Sequence, residues 1–414
     1  MEYGQQAEIS PQARDPLKGL RPGEPTAVVL GDLTLVRPLG QEAIAVVVGT
    51  SDPRDVTLHS RYARAHWLLP ARDPHDGAAQ VASLRRLGQA LAARLGRKVP
   101  LFYGTDAQLE LLYRHRQLLG EVFLFLLNDE PLGWALHDKA QFYRLCAATG
   151  IRAPRVLPEE DLESTLAQWS GPLLVKPRCK ADWRHLRQHG LGDQGKARAF
   201  PDGRALLACA SLLALRDQLI IQELVPGDVD DLYSFHGFAG GQGELLAHFC
   251  GRKLHTFPRF GGESALIELV KDEGLARAGR AVVDRLGIKG PFKIDFIRDP
   301  RDGALVTLEV NARYNLWHYL GAAHGVNLLR IAYDYLTEGR VPPVPPDYTP
   351  RWRWLDGYRD LLAFREHRQT SGDVGSWLAP ILAAPTLYDT FAWRDPWPYV
   401  RWLGQALGRH LRRP

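Results

Sequence analysis

FKIDFI (292–297) and ALVTLEVNAR (304–313) are two mainly apolar segments separated by the turn-forming sequence DPRDG. Alternating apolar residues on both sides of a Pro- and Gly-containing turn predict an antiparallel hairpin. Asp295 lies in the middle of the first predicted strand, and Glu309 and Asn311 lie two residues apart on the second. Because strand side chains alternate between faces, the hairpin is expected to bring these three polar side chains to one face.

Two interpretations of this polar face stay open from these residues. Mg²⁺ prefers oxygen ligands and is often held by one or two carboxylates together with substrate phosphates. The alternative is a buried structural network in which Glu309 pairs with Arg313 and Lys293 takes part. Motifs elsewhere in the chain are needed to choose between a metal site and a structural network.

Composition limits the function classes. The chain has 414 residues, which suggests two or three domains, and its formal net charge of +5 suits an anionic small ligand more than nucleic acid. Its four cysteines have no CxxC spacing, which fits a reducing cytoplasm. We therefore expect a cytoplasmic protein that does not bind nucleic acid.

The N-terminal part predicts a Rossmann-like unit. AVVLGD (27–32) and AIAVVVGTSD (43–52) have the composition of buried strands, and a short helical segment separates them. We expect a flexible tail over 1–25, a Rossmann-like domain over 26–130, a second domain over 131–345 and a Trp- and Arg-rich extension over 346–414. Residues 106–127 and 321–338 are predicted to be helical, and PPVPP (342–346) is predicted to be a stiff linker.

Two lysines are candidate phosphate ligands. Lys176 ends the apolar strand GPLLVKP (171–177), and Lys139 begins a helix that Asp138 can cap. A lysine at the positive end of a helix dipole is favourable when an anion is near. Each could equally be an ordinary surface lysine.

Two loops complete the candidate site. IIQELVPG (220–227) leads from a strand into the acidic run DVDD (228–231), where backbone groups could bind a base and an Asp could bind ribose; an ordinary strand and turn is the alternative. The segment GRKLHTFPRFGGES (251–264), which contains Arg252 and Lys253, suits a substrate loop or a solvated one. The sequence from Gly190 to Lys196 lacks the Ser or Thr of a Walker A motif, and we interpret 178–200 as a mobile lid.

The order of these motifs resembles the ATP-grasp superfamily over about residues 130–340, in particular its carboxylate–amine ligases that include D-aspartate ligase-like proteins. The resemblance implies an α/β (α+β) ATP-grasp fold, with ATP clamped between two lobes and a Rossmann-like domain before them. It also implies small-molecule carboxylic acid and amine substrates, and it leaves a homodimer open.

The resemblance also implies residue roles. Lys139 and Lys176 would contact ATP phosphates, and Arg313 would steady an acyl phosphate with Lys176 as a second catalytic group. The adenine pocket would be formed by Glu223, Leu224 and Val225, and the ribose would be bound by Asp230 or Asp231, with Asp228 left open as an alternative. The substrate would contact Arg252, Lys253 and Arg313. Two Mg²⁺, for which Mn²⁺ could substitute, would be held by Asp295, Glu309 and Asn311.

The implied reaction is ATP-dependent amide formation through an acyl phosphate, with release of ADP and phosphate. An ATP-grasp carboxylase or kinase and a non-catalytic ATP-binding regulator are the alternatives. An oxidoreductase is disfavoured because no GxGxxG follows AVVLGD. Val400, Leu403, Leu407 and Leu411 form one face of a C-terminal helix, and we expect this helix to dock on its own domain and not on a membrane.

Overall fold

The computed structural model describes residues 15–73, 77–179, 186, 191, 197–259, 261–339, 348–370 and 373–410. Most of the predicted tail, most of the predicted lid and the predicted linker at 342–346 lie outside this set. Leu17 and Leu20 are buried in the main core. The prediction of a loose tail is therefore wrong for residues 15–25, where these two leucines supply apolar surface to the core.

The first layer is a parallel sheet whose strands lie in the order β3-β2-β1-β4-β5. Its strands are β1 (Thr26–Val29), β2 (Ala45–Thr50), β3 (Ala63–Leu68), β4 (Val99–Phe102) and β5 (Phe123–Leu124). Helices α1 (Leu33–Gln41), α2 (Ala78–Leu95), α3 (Asp106–Arg114) and α4 (Arg116–Gly120) connect or flank them. The segment 106–127 is thus two helices and a strand, because Phe123 and Leu124 pair with β4.

A small antiparallel sheet with its own apolar core forms the first lobe of the next region. It consists of β7 (Arg198–Phe200), β6 (Leu173–Pro177) and β8 (Leu219–Glu223), in that order. The accompanying helices are α5 (Glu130–His137), α6 (Lys139–Thr149), α7 (Leu162–Gln168), α8 (Gly203–Leu207) and α9 (Ala210–Leu213). Asp138 caps α6 by accepting a 2.8 Å hydrogen bond from the Ala140 amide, as predicted.

The largest sheet has seven strands in the order β13-β12-β9-β10-β11-β14-β15. They are β9 (Leu232–Ala239), β10 (Leu245–Phe257), β11 (Glu263–Val270), β12 (Gly290–Arg298), β13 (Leu305–Asn311), β14 (Arg353–Leu355) and β15 (Thr386–Tyr388). Half of the segment predicted as a loop, residues 251–257, is therefore the end of β10, which pairs with β11 along this stretch and with β9 as far as Arg252.

Helices pack around this sheet. They are α10 (Glu273–Leu286), α11 (Trp317–Ala323), α12 (Leu328–Glu338), α13 (Gly357–Thr370), α14 (Val374–Leu382) and α15 (Trp397–His410). The single helix predicted over 321–338 is interrupted because Gly325 adopts a φ of +86°, a left-handed conformation that ends α11 before α12 begins. Among the described residues, no helix is both long and apolar enough to cross a membrane.

The C-terminal extension is fixed to the N-terminal sheet. Arg37, fully buried on α1, pairs with Asp395 at 3.1 Å and donates further hydrogen bonds to the carbonyls of Asp389 and Thr390. Asp395 also accepts from the Ser60 hydroxyl at 2.8 Å. This buried polar cluster joins two parts of the chain that are more than three hundred residues apart in sequence.

A candidate nucleotide and metal site

A cavity of about 850 Å³ lies where the three sheets meet. It collects nine of the residues that the sequence predicted for the site, namely Lys139, Lys176, Leu224, Val225, Lys253, Asp295, Glu309, Asn311 and Arg313. The volume is within the usual range for small-molecule sites. Residues far apart in sequence are therefore brought together in one cleft.

The predicted hairpin of β12 and β13 is confirmed, and its register builds the polar face. Asp295 lies opposite Glu309, and Lys293 lies opposite Asn311. Because residues 293 and 295 are two apart, as are 309 and 311, all four side chains share one face of the sheet. A bulge follows Asp295 at the next pair.

Asp295 is buried and surrounded by donors. It accepts a 2.6 Å hydrogen bond from the Ser234 hydroxyl on the neighbouring strand β9. Lys293 Nζ lies 2.8 Å from one carboxylate oxygen, and Lys253 Nζ lies 3.9 Å from the other. Burial lowers the pKa of Lys293, while Asp295 acts in the opposite direction. The ammonium groups of Lys293 and Lys253 place positive charge beside the Asp295 carboxylate.

Glu309 and Asn311 are held against each other. The Asn311 side-chain amide donates to Glu309 Oε1 at 2.9 Å. Arg313, just beyond the strand, donates through Nε to Asp106 at 2.8 Å and through Nη1 to the Gly104 carbonyl at 3.0 Å. Arg313 thus forms an ion pair with Asp106, a carboxylate from the loop after β4 that the sequence reasoning did not consider.

Lys176 is enclosed by aromatic and charged groups. Its Nζ donates to the Tyr143 hydroxyl at 2.7 Å and lies 4.9 Å from the centre of that ring. Burial and the neighbouring Lys139 ammonium lower the pKa of Lys176 to about 7, and Glu309 partly opposes them. An anionic ligand would favour the charged form of this lysine.

Lys139 lies at the N-terminus of α6, where the helix dipole adds to its positive charge. Its Nζ is 3.4 Å from the Arg178 carbonyl. Arg178 in turn pairs with Asp138 at 3.0 Å. Two lysines, Lys139 and Lys176, therefore face one cavity from a helix end and a strand end.

The segment after β8 lines the cavity only in part. Leu224 and Val225 face it, whereas Glu223 accepts from the Arg155 amide at 3.2 Å and is not among the lining residues. Leu224 donates its amide to the Pro172 carbonyl at 3.0 Å. The side-chain contact of Glu223 therefore lies outside the cavity, although its backbone continues into the lining segment.

The acidic run after this segment differs from the prediction. Asp228 lines the cavity, and Asp230 and Asp231, the two predicted ribose ligands, do not. The reason is a single 3₁₀ turn, Val229–Asp231, in which the Asp231 carboxylate accepts from the Asp228 amide at 3.0 Å. Asp228 itself pairs with Arg259 from the loop after β10.

Arg252 and Lys253 point in opposite directions, because they are adjacent on β10. Lys253 lines the cavity, but Arg252 is held at 2.7 Å by Glu268 and is not among the lining residues. Glu268 is paired with Arg353 at the same distance. The prediction that Arg252 contacts substrate is therefore not supported, since its guanidinium belongs to a cross-strand ion cluster.

The cavity also contains residues that the sequence reasoning missed. Asp32, Gly104, Thr105 and Asp106 come from the loops after β1 and β4, and Glu366 comes from helix α13 of the C-terminal extension. The residues in the loops after β1 and β4 could have been predicted, because ligands bind outside the carboxyl ends of strands in open α/β sheets. Glu366 had none, because the extension reaches the cavity only through tertiary packing.

The donor set fits a hard divalent cation. Asp295, Glu309 and Asn311 supply carboxylate and amide oxygens on one face, and the Ser234 hydroxyl orients one of the carboxylates. Among the described residues there is no cluster of three or more His, Cys, Asp or Glu side chains with metal-site geometry. The site would therefore need phosphate oxygens to complete its ligands, as magnesium–nucleotide sites do.

No family model matches the chain. A D-aspartate ligase from Enterococcus faecium (strain Aus0004) is 22% identical over 270 residues, and the match covers 63% of each chain. This chain thus spans a little under two thirds of the length of that relative.

Solved structures share the fold. An L-amino acid ligase from Bacillus licheniformis superposes with a TM-score of 0.54 at 15% identity, covering 77% of both chains. The biotin carboxylase domain of a Hydrogenobacter thermophilus 2-oxoglutarate carboxylase, solved with MgADP and bicarbonate, gives a TM-score of 0.58 at 14% identity and covers 80% of this chain and 73% of that one.

These likenesses agree with the order of lysines, strand-borne carboxylates and Arg313 around one cavity. The predicted fold is confirmed: the chain shares the fold of these L-amino acid ligase and biotin carboxylase structures, as the resemblance to the ATP-grasp superfamily implied.

Proposed function

We propose that this protein is an ATP-dependent carboxylate–amine ligase that forms an amide bond through an acyl phosphate. The observation that carries the proposal is the single cavity in which Lys139 and Lys176 face the Asp295, Glu309 and Asn311 side chains. Cations for phosphates and oxygen ligands for a metal are the two requirements of phosphoryl transfer from ATP.

In the proposed reaction, the substrate carboxylate attacks the γ-phosphate of ATP, the bond from the γ-phosphorus to the bridging oxygen breaks, and ADP leaves. An amine then attacks the acyl carbon, and phosphate leaves as the amide forms. Lys139 and Lys176 would neutralise phosphate charge, and Arg313 would donate to the acyl phosphate. One or two Mg²⁺, or Mn²⁺ in their place, would be held by Asp295, Glu309 and Asn311 and would screen charge on the transferring group.

Within the nucleotide site, we propose that Leu224, Val225 and the backbone of Glu223 contact the base. Asp228 replaces Asp230 and Asp231 as the proposed ribose ligand because it lines the cavity. Lys253 is retained as a substrate contact. The substrates would be small and amino-acid-like, in line with the names of the D-aspartate ligase and L-amino acid ligase relatives.

The experiment is a screen of amino acids as carboxylate donors with ATP, Mg²⁺ and hydroxylamine, which traps an acyl phosphate as a hydroxamate. We expect hydroxamate and ADP in equal amounts with at least one acid, and none with a Glu309→Gln variant. Release of AMP and pyrophosphate would contradict the proposal because it indicates an acyl adenylate. ADP release with bicarbonate, in preference to every amino acid, would favour the carboxylase alternative.

A further inference from the structure

Helix α15 exposes apolar side chains that the sequence led us to expect against the protein. Trp393, which precedes the helix, is 88% exposed. Within the helix, Trp397 is 63% exposed and Leu407 is 62% exposed. We call the following set the outer apolar face: Trp393, Trp397, Val400, Leu403 and Leu407. The helix docks on the rest of the chain as predicted, but it does not do so through this face.

The helix docks through its other side. Gln405 donates to the Arg54 carbonyl at 2.7 Å, and Arg401 donates to His59 Nε2 at 3.1 Å. Because these contacts already fix α15 on the segment that precedes β3, the outer apolar face is not needed to hold the helix in place.

Exposed arginines lie beside this face, although Asp52 and Asp55 flank one of them, Arg54, in sequence. Arg54, Arg61, Arg394 and Arg401 are exposed, and the Arg61 side chain contacts the Arg394 carbonyl at 3.2 Å. The sequence from 396 to 414 contains no Asp or Glu. Asp395, the nearest acidic residue before it, is buried in its pair with Arg37. The face is thus an apolar, tryptophan-containing strip bordered by arginines.

We propose that the outer apolar face docks on an anionic membrane surface, with α15 lying parallel to the bilayer plane. Tryptophan and leucine side chains would enter the headgroup boundary, and the arginines would meet anionic headgroups. A second copy of the chain fits this face less well, because a two-fold contact would place the same arginines of both copies together. This inference is independent of the proposed ligase activity.

The test is sedimentation of the full chain with vesicles of equimolar phosphatidylcholine and phosphatidylglycerol, and with phosphatidylcholine vesicles alone. We expect binding to the anionic vesicles that weakens with salt, and a blue shift of tryptophan emission. Trp393→Ser with Trp397→Ser should weaken binding by about tenfold or more. Arg394→Gln and Arg54→Gln should weaken it by about fivefold each.

Matched controls are Leu118→Ser, an exposed leucine on α4, and Arg277→Gln, an exposed arginine on α10. Neither should change vesicle binding, and all variants should keep the melting temperature of the parent because the altered side chains are exposed. Failure of the parent protein to sediment with anionic vesicles would overturn the proposal. So would a parent dimer, seen by analytical ultracentrifugation, that the double Trp variant dissociates.

Discussion

At the scale of single residues, Lys176 is partly buried and faces the cavity in which we propose that ATP binds. Its pKa is lowered to about 7, so a substantial fraction of the free protein carries a neutral amine near neutral pH. Bound phosphate favours the ammonium form and must raise this pKa. ATP binding above pH 7 should therefore take up a proton, and affinity should fall as pH rises, by at most about tenfold per pH unit.

Calorimetry at pH 8 in buffers of different ionisation enthalpy measures this proton uptake. A Lys176→Arg variant is the control, because a guanidinium stays charged throughout this range. We expect proton uptake in the parent and little in the variant. Identical uptake in both proteins would show that Lys176 does not titrate on binding.

Arg313 has a structural contact and a proposed chemical one, and two variants separate them. Arg313→Ala and Asp106→Ala both remove the 2.8 Å pair, so any loss of stability from that pair should appear in both. Only Arg313→Ala removes a donor from the cavity, and its turnover should fall by roughly 10²–10³. Asp106→Ala should lose about tenfold or less.

Steady-state ADP release and thermal melting give the two readouts. Arg313→Lys should recover little turnover, because a single ammonium does not reproduce the planar guanidinium. A folded Arg313→Ala variant with parental turnover would remove Arg313 from the proposed site. Equal turnover losses in Arg313→Ala and Asp106→Ala would make it a positioning residue.

At the scale of elements, strands β9, β12 and β13 place Ser234, Asp295 and Glu309 side by side. Ser234 is fully buried and donates its hydroxyl to Asp295 at 2.6 Å. Removing such a partner of a metal ligand typically lowers metal affinity or activity by about 10–100-fold. We expect Ser234→Ala to raise the Mg²⁺ concentration needed for nucleotide binding by about tenfold.

Ser83→Ala is the matched control, since Ser83 on α2 is also buried and accepts a 3.0 Å hydrogen bond from Trp67 Nε1 on β3. Titrating Mg²⁺ at fixed nucleotide should show the shift in Ser234→Ala alone. The same Mg²⁺ requirement in both variants would mean that Ser234 does not orient a metal ligand.

Elements of the site that depend on local sequence patterns could be predicted from the sequence. The hairpin was predicted because alternation and a turn sequence specify pairing between neighbours, and this placed Asp295 opposite Glu309. Non-local pairing was not readable. Strand β14 joins the sheet beside β11 from more than eighty residues away, and Arg313 finds its carboxylate at Asp106, more than two hundred residues earlier.

The geometry of local turns also could not be predicted from the sequence. Three aspartates in DVDD were equivalent in composition, and only the 3₁₀ turn determines that Asp228 faces the cavity. Arg252 and Lys253 were both plausible substrate contacts until their segment proved to be a strand, which sends neighbours to opposite faces. Residue types were thus predicted better than side-chain directions.

At the scale of the whole molecule, the Arg37–Asp395 pair links the two ends of the chain. Both side chains are essentially inaccessible, at 0% and 1% exposure. Asp395→Ala leaves a buried guanidinium without its carboxylate, which typically costs about 3–5 kcal/mol. We expect the free energy of unfolding to fall by about that amount in denaturant titrations.

Glu121→Ala is the control, because its pair with Arg85 is exposed at 56% and 37% and should contribute about 1 kcal/mol or less. A loss as small as that control in Asp395→Ala would show that the extension is held by its apolar contacts and not by this cluster. Nucleotide binding should survive in any fraction of Asp395→Ala that remains folded.

Residues from all three sheets or their adjoining loops, and from the C-terminal extension, line the cavity. The identity of the ligand that binds there is therefore the central question about the whole molecule. The most direct test is isothermal titration of the protein with ATP in the presence of Mg²⁺ and again after chelation. We predict one bound ATP per chain with Mg²⁺ present, and at least tenfold weaker binding after chelation or in Glu309→Gln. ATP binding of equal strength without Mg²⁺, or tight metal-independent binding of NAD in its place, would contradict the account.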